Sequence, residues 1–177
     1  MPADPAARFA DLMSTLDHPM AIVTTASGEV RSGCLVGFHG QCGIDPPHYA
    51  VWLSKANHSY RIAVLTEVFA VHFPAADDRA LAELFGTDTG DDVDKFTRTT
   101  WTRGPDDVPL LDDCPTRLIG RRIAWLDAGP DHVCLILEPI SVDGSGPSTP
   151  DAATRLMFRD VLGLEAGHAP AERQHPT

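Results

Sequence analysis

The segment Leu53-Ser54-Lys55-Ala56-Asn57-His58-Ser59-Tyr60 carries hydroxyls and an ammonium where a strand end runs into a helix start. Free backbone N–H groups at such a start, with Ser54, Ser59 and the charge of Lys55 beside them, suit an anion such as phosphate. A capped helix next to a solvated lysine accounts for the same residues. Arg31 to Pro47, RSGCLVGFHGQCGIDPP, has glycine at 33, 37, 40 and 43. Glycine lets a flat ligand approach the backbone closely, and it equally permits a bulged, twisted strand. Gln41 offers an amide either to a ring edge or to solvent. Asp94-Lys95-Phe96 reads as a ligand clamp or as a loop anchored by its phenylalanine. Asp131-His132 can dock a second substrate or simply end a strand. Arg121 and Arg122 point to opposite faces of one strand, so only one of them can face a ligand.

Other chemistries find no residues to carry them. The four cysteines (Cys34, Cys42, Cys114, Cys134) form no CxxC pair, and the eight histidines include no HxH or HExxH, so no metal site is expected. The cysteines read as reduced and mostly packed. No GxGxxG follows a strand and no Walker loop is present, which argues against a Rossmann-type dinucleotide site.

The elements that must position these residues are mostly strands. Asp4-Pro5 has the form of an N-cap with proline behind it, opening a helix through Leu16 with Phe9, Leu12, Met13 and Leu16 on one face. Ala21–Thr25 and Val30–Phe38 flank Ser27-Gly28 as a hairpin. Asp45-Pro46-Pro47 breaks the chain ahead of a strand over 49–53. Asn57 caps a short helix to Leu65, Val68–Phe73 is a strand, and Asp77 or Asp78 caps a helix bearing Leu81, Leu84 and Phe85. Residues 86–116 read largely as loop. Arg117–Leu126 and His132–Val142 are long strands, apolar at nearly every position, as if covered on two faces. Thr149-Pro150 opens a last helix to about Leu162, with a mobile tail from Gly167. At least six strands joined as hairpins, with few helices, predict a mainly β fold: a small antiparallel split β-barrel with short flanking helices.

A length of 177 residues suits one domain, and an apolar fraction of 43% suits a packed core. The net charge of −11 opposes nucleic-acid binding, because a polyanionic backbone would be repelled. With no apolar run long enough for a bilayer and no basic or apolar leader in MPADPAARFADLM, a cytoplasmic protein without membrane contact is expected.

In order along the chain, these segments resemble the flavin reductase-like family, whose members adopt the FMN-binding split barrel. Met20–Thr25 is similar to its opening strand, and Gly33–Pro47 to its flavin-contacting strand with an acidic-Pro-Pro turn. Val51–Ser59 resembles its phosphate segment and Phe69–Val71 its next strand. Asp94-Lys95-Phe96 resembles its loop signature and Asp131-His132 its late strand. The likeness covers roughly residues 8–142, giving a domain over 1–142 and, over 143–177, a linker, C-terminal helix and tail.

That resemblance implies a homodimer holding FMN or FAD, reduced by NADH or NADPH, and often supplying a partner monooxygenase. Gly33, Cys34, Leu35 and Val36 would line the isoalloxazine, with Gln41 and Cys42 nearby. Ser54, Lys55 and Ser59 would lie near the ribityl phosphate, Lys95 would clamp the cofactor, and His132 would position the nicotinamide. Leu35, Gly37 and Gly43 lack the hydroxyls that relatives commonly carry there, each worth about 1.5–3 kcal/mol where it meets a charged oxygen. Two rivals share the scaffold: a non-catalytic flavin or haem carrier, and a deazaflavin-dependent reductase.

Overall fold

The side chain of Asp4 accepts from the Ala6 N–H at 3.2 Å, and with Pro5 behind it the chain enters helix α1, Pro5–Thr15. The cap is as the sequence predicts, but no residue of α1 is buried among the described residues, and Phe9 is 63% exposed. A computed structural model describes residues 4–127, 129, 131–144 and 154–167.

Strands β1 (Ala21–Ser27) and β2 (Val30–Val36) form the expected hairpin, turning at Gly28, whose φ of 58° is a conformation that glycine reaches without strain. Then come β3 (His39–Ile44), β4 (Pro47–Ser54), helix α2 (His58–Ala63), β5 (Val68–His72) and helix α3 (Arg79–Thr87). Asn57 and Asp78 occupy the N-cap positions of these helices, but neither side chain makes the capping hydrogen bond. Strands β8 (Arg117–Leu126) and β9 (His132–Asp143) are the long hairpin.

The main sheet has seven antiparallel strands in the order β2-β1-β5-β8-β9-β4-β3. Its two edge strands are consecutive in the chain, joined only by Gly37-Phe38. So short a link keeps the two edges together where they join, and the Trp52 N–H donates to the Phe38 carbonyl at 2.9 Å, extending the β3–β4 pairing into the link. The expected mainly β, antiparallel barrel architecture is thereby observed. Its interior holds Val23, Cys34, Val51, Leu53, Phe69, Val71, Leu135 and Leu137.

Three expectations are corrected. Residues 86–116 are not merely loop: they contain a small hairpin, β6 (Trp101–Arg103) with β7 (Pro109–Leu111). Thr24 Oγ1 donates to the Pro109 carbonyl at 2.6 Å and ties this hairpin to the barrel. Second, β8 and β9 are covered only in part. Ile123, Leu126, Ile140 and Val142 are 44–54% exposed among the described residues. Third, residues 154–162 form no α-helix. Leu156 and Phe158 spend their backbone N–H groups on the carbonyls of Pro74 and His18, leaving only a 3-10 turn over Phe158–Val161. Leu156 and Val161 pack with Met20 and Ala82, so this segment is part of the body of the fold. The cap expected at Thr149-Pro150, and the tail beyond Gly167, lie outside the described residues.

Candidate active site

Where β2 ends and crosses to β3, a groove of about 350 Å³ opens at the barrel rim. Leu35, Val36, Gly37 and Phe38 form one side. Strand β4 adds Trp52 and Ser54, because its alternation turns Val51 and Leu53 inward and Trp52 outward. Asn57 follows from the start of α2, and His132 from the start of β9, directly opposite Ser54 in register. His18, Met20 and Phe158 complete it, the His18 and Phe158 rings stacked at 5.0 Å and 13°.

The walls are aromatic and aliphatic, with few polar groups. The Phe38 ring meets His132 edge-on at 5.3 Å, and His132 Nδ1 lies 3.1 Å from Asp131. That hydrogen bond holds the Asp131 carboxyl below its ordinary range. Gly37 leaves space that matters, since a Cβ there would stand 3.1 Å from His18 Nε2 and 3.5 Å from Met20 Sδ. A cleft of this shape accepts a flat aromatic ring.

The expected site residues divide into groups. Leu35, Val36, Ser54 and His132 line the groove together. Cys34 does not: its side chain points into the barrel interior, where burial pushes its thiol pKa up. Lys55 is not free for an anion. Its ammonium lies 2.5 Å from Asp127 and donates to the Gly129 carbonyl at 2.9 Å, which fastens the β8–β9 turn. Ser59 is buried, its hydroxyl 2.9 Å from that of Ser32. Helix α2 is only six residues long, so the dipole at its start is small. Gln41 and Cys42 are exposed on β3 outside the groove, Gln41 donating to the Gly43 carbonyl.

Gly33 and Lys95 belong to a second hollow, of about 280 Å³, between the start of β2 and residues 90–96. Lys95 is only 4% exposed, and its ammonium donates to the carbonyls of Gly33 (3.2 Å) and Phe85 (3.1 Å). Burial lowers its pKa. Asp94 fixes this turn by accepting from the Phe96 N–H at 3.0 Å.

Sequence reasoning missed Phe38, Trp52, Asn57, His18 and Phe158. Trp52 was detectable, being the outward aromatic in a strand whose neighbours alternate inward. Phe158 was not, because only its backbone bond to His18, 140 positions earlier, brings the two rings together.

Among the described residues no helix is long and apolar enough to cross a membrane. No curated protein matches the chain. Solved structures do. The NADH:FAD oxidoreductase of Streptomyces globisporus superposes with a TM-score of 0.75 at 19% identity, covering 100% of this chain and 98% of that one. The FMN-binding protein of Thermus thermophilus, with bound 1-cyclohex-2-enone, gives 0.75 at 17% identity over 91% of each. A Sinorhizobium meliloti chain described as an oxidoreductase gives 0.70 at 22% identity, covering 81% of this chain. The present chain spans about half of that one, 49%. At these identities the likeness shows a common fold. The sequence profile of the flavin reductase like domain matches residues 13–160, most of the length and past the end of β9. The chain belongs to the flavin reductase like domain family.

Proposed function

We propose that the protein is an NAD(P)H-dependent flavin reductase acting at the groove between β2, β4 and β9. The observation that carries this reading is a family match over residues 13–160 coinciding with a ring-sized aromatic cleft at the family's flavin-contacting strand. The residues present fit the cofactor. Gly37 leaves the ring its space, Leu35, Val36 and Trp52 supply apolar walls, and Ser54 and Asn57 supply polar edges. A bound flavin supplies the hydride acceptor, so no side chain need act as nucleophile. The chain's own residues hold the ring, exclude water with Phe38 and Trp52, and place the nicotinamide at the His132 end. FMN and FAD are both compatible with this groove, as are NADH and NADPH.

A homodimer belongs to the same proposal. Ile123, Leu126, Ile140 and Val142 are exposed apolar residues of the β8–β9 hairpin, of a kind that a second copy would cover. A flavin-dependent monooxygenase as consumer of the reduced flavin rests on the family likeness alone.

The missing hydroxyls at Leu35, Gly37 and Gly43 favour one alternative, a flavin carrier without turnover. Purified protein mixed with FMN or FAD and then with NADH or NADPH separates the two. Flavin binding with rapid loss of reduced nicotinamide supports the reductase. Binding without turnover supports the carrier, and no binding of any flavin overturns both.

A further inference from the structure

Two histidines line the groove, and among the described residues no lysine or arginine does. His132 is committed, its Nδ1 3.1 Å from Asp131. His18 is not: it is half-buried, and among the described residues neither of its ring nitrogens has a hydrogen bond or an ion pair. Its neighbour His39 is committed as well. Burial lowers the His39 pKa, which keeps that ring neutral. Its Nε2 donates to the Pro19 carbonyl at 2.8 Å, so its Nδ1 accepts from the Tyr49 hydroxyl at 2.6 Å.

The chain around His18 is anchored on both sides. The Phe158 N–H donates to the His18 carbonyl at 2.8 Å, and the Met20 N–H to the Leu156 carbonyl, also at 2.8 Å. Arg159 holds the Asp17 carboxylate twice, through its backbone N–H at 3.2 Å and its guanidinium at 2.9 Å. Stacking on Phe158, at 5.0 Å and 13°, then fixes the plane of the His18 ring. All these contacts hold the imidazole without engaging its polar atoms. Nε2 faces the space that Gly37 leaves. It is the nearest atom, outside residues 36–38, to the point where a Cβ of Gly37 would stand, at 3.1 Å against 3.5 Å for Met20 Sδ. A rigidly held donor beside open backbone is how a binding groove presents a polar group to its ligand.

We propose that His18 is a specificity-determining residue, whose Nε2 donates a hydrogen bond to a carbonyl on the edge of the flavin ring in the groove. The inference rests on the flavin reading for its ligand. The apolar walls of Leu35, Val36 and Trp52 accept any flat ring. A fixed donor beside Gly37 selects rings that carry an acceptor at that edge, because a ring without one would cover the imidazole N–H and leave it unpaired.

FMN is titrated into the wild type, His18→Phe and His18→Gln, and infrared difference spectra record the carbonyl bands of the bound flavin. His18→Phe keeps an aromatic ring on Phe158 and should lose about 3- to 10-fold in FMN affinity. One flavin carbonyl band should move to higher frequency as its hydrogen bond is lost. His18→Gln, which can still donate, should recover part of both changes. Carbonyl bands at the same place in the wild type and His18→Phe make His18 only a wall of the groove and overturn the proposal, whatever the affinity does. Unchanged FMN affinity in His18→Phe overturns it too, while the flavin reading stands. If the wild type binds no FMN, the flavin reading falls and the proposal with it. Should His18→Phe not fold, His18→Leu carries the same comparison.

Discussion

His72 Nε2 accepts the backbone N–H of Leu111 at 3.1 Å. The ring's proton therefore sits on Nδ1, which donates to the Ile22 carbonyl, also at 3.1 Å. One fully buried imidazole thus joins β5 to β1 and to the small β6–β7 hairpin. A second proton on Nε2 would confront the Leu111 N–H and remove that joint.

Acid should loosen the fold through this residue. Burial, with a smaller contribution from Arg117, lowers the His72 pKa to about 3 from an ordinary 6.5. The unfolded chain therefore binds a proton below about pH 6.5 that the folded chain refuses until near pH 3. Stability from this group is complete above pH 6.5 and declines as the pH falls, by about 1.4 kcal/mol per pH unit. His72→Asn should be less stable at neutral pH but should show a shallower decline between pH 6 and 4, read from urea midpoints. Parallel declines in the two proteins would clear His72 of the effect.

Why some elements were legible follows from where their partners lie. Asp4-Pro5 caps α1 and Gly28 turns the first hairpin through neighbours a few residues away, so local sequence suffices. The β6–β7 hairpin has strands of three residues and is held by His72 and Thr24, the latter 85 positions from Pro109. No local period encodes that. The same holds at the site. Leu35, Val36, Ser54 and His132 were recognisable by position, whereas the fates of Lys55 and Ser59 depended on Gly129, 74 residues away, and on Ser32.

Lys55→Ala tests that reassignment directly. Removing a half-exposed ion pair and one carbonyl contact should cost about 1 kcal/mol or less of stability. The ratio of FMN to riboflavin affinity should stay at its wild-type value. A selective loss of FMN binding would return Lys55 to the phosphate site.

Gly37→Ala should close the groove without unfolding the barrel. The new Cβ would press on His18 Nε2 at 3.1 Å, and His18 cannot retreat without leaving its stack on Phe158. Affinity for FMN and riboflavin should fall together, by roughly tenfold if about 1.4 kcal/mol of fit is lost. Unchanged affinity for both would place the ring elsewhere.

The exposed apolar residues of β8 and β9 predict association. Light scattering should give twice the chain mass for the wild type. Ile140→Glu, which sets a charge on an exposed apolar position of β9, should shift the equilibrium towards the single chain. A wild-type protein of single-chain mass at high concentration would dismiss the dimer.

His132 lines the groove with Leu35 and Val36, bonded to Asp131 and edge-on to Phe38. Its ring is therefore held in one orientation by two contacts, of which only the edge-on one, to Phe38, touches a wall of the groove. Replacing it by alanine removes a docking surface while leaving Leu35, Val36, Trp52 and Ser54 in place. The KM for reduced nicotinamide should rise about fivefold, the worth of roughly 1 kcal/mol, with flavin Kd altered less than about twofold. His132→Gln, which can still donate to Asp131, should recover part of the loss. A fall in kcat with KM unchanged would instead give His132 a part in the hydride step, and a loss of flavin binding would move it to the cofactor wall.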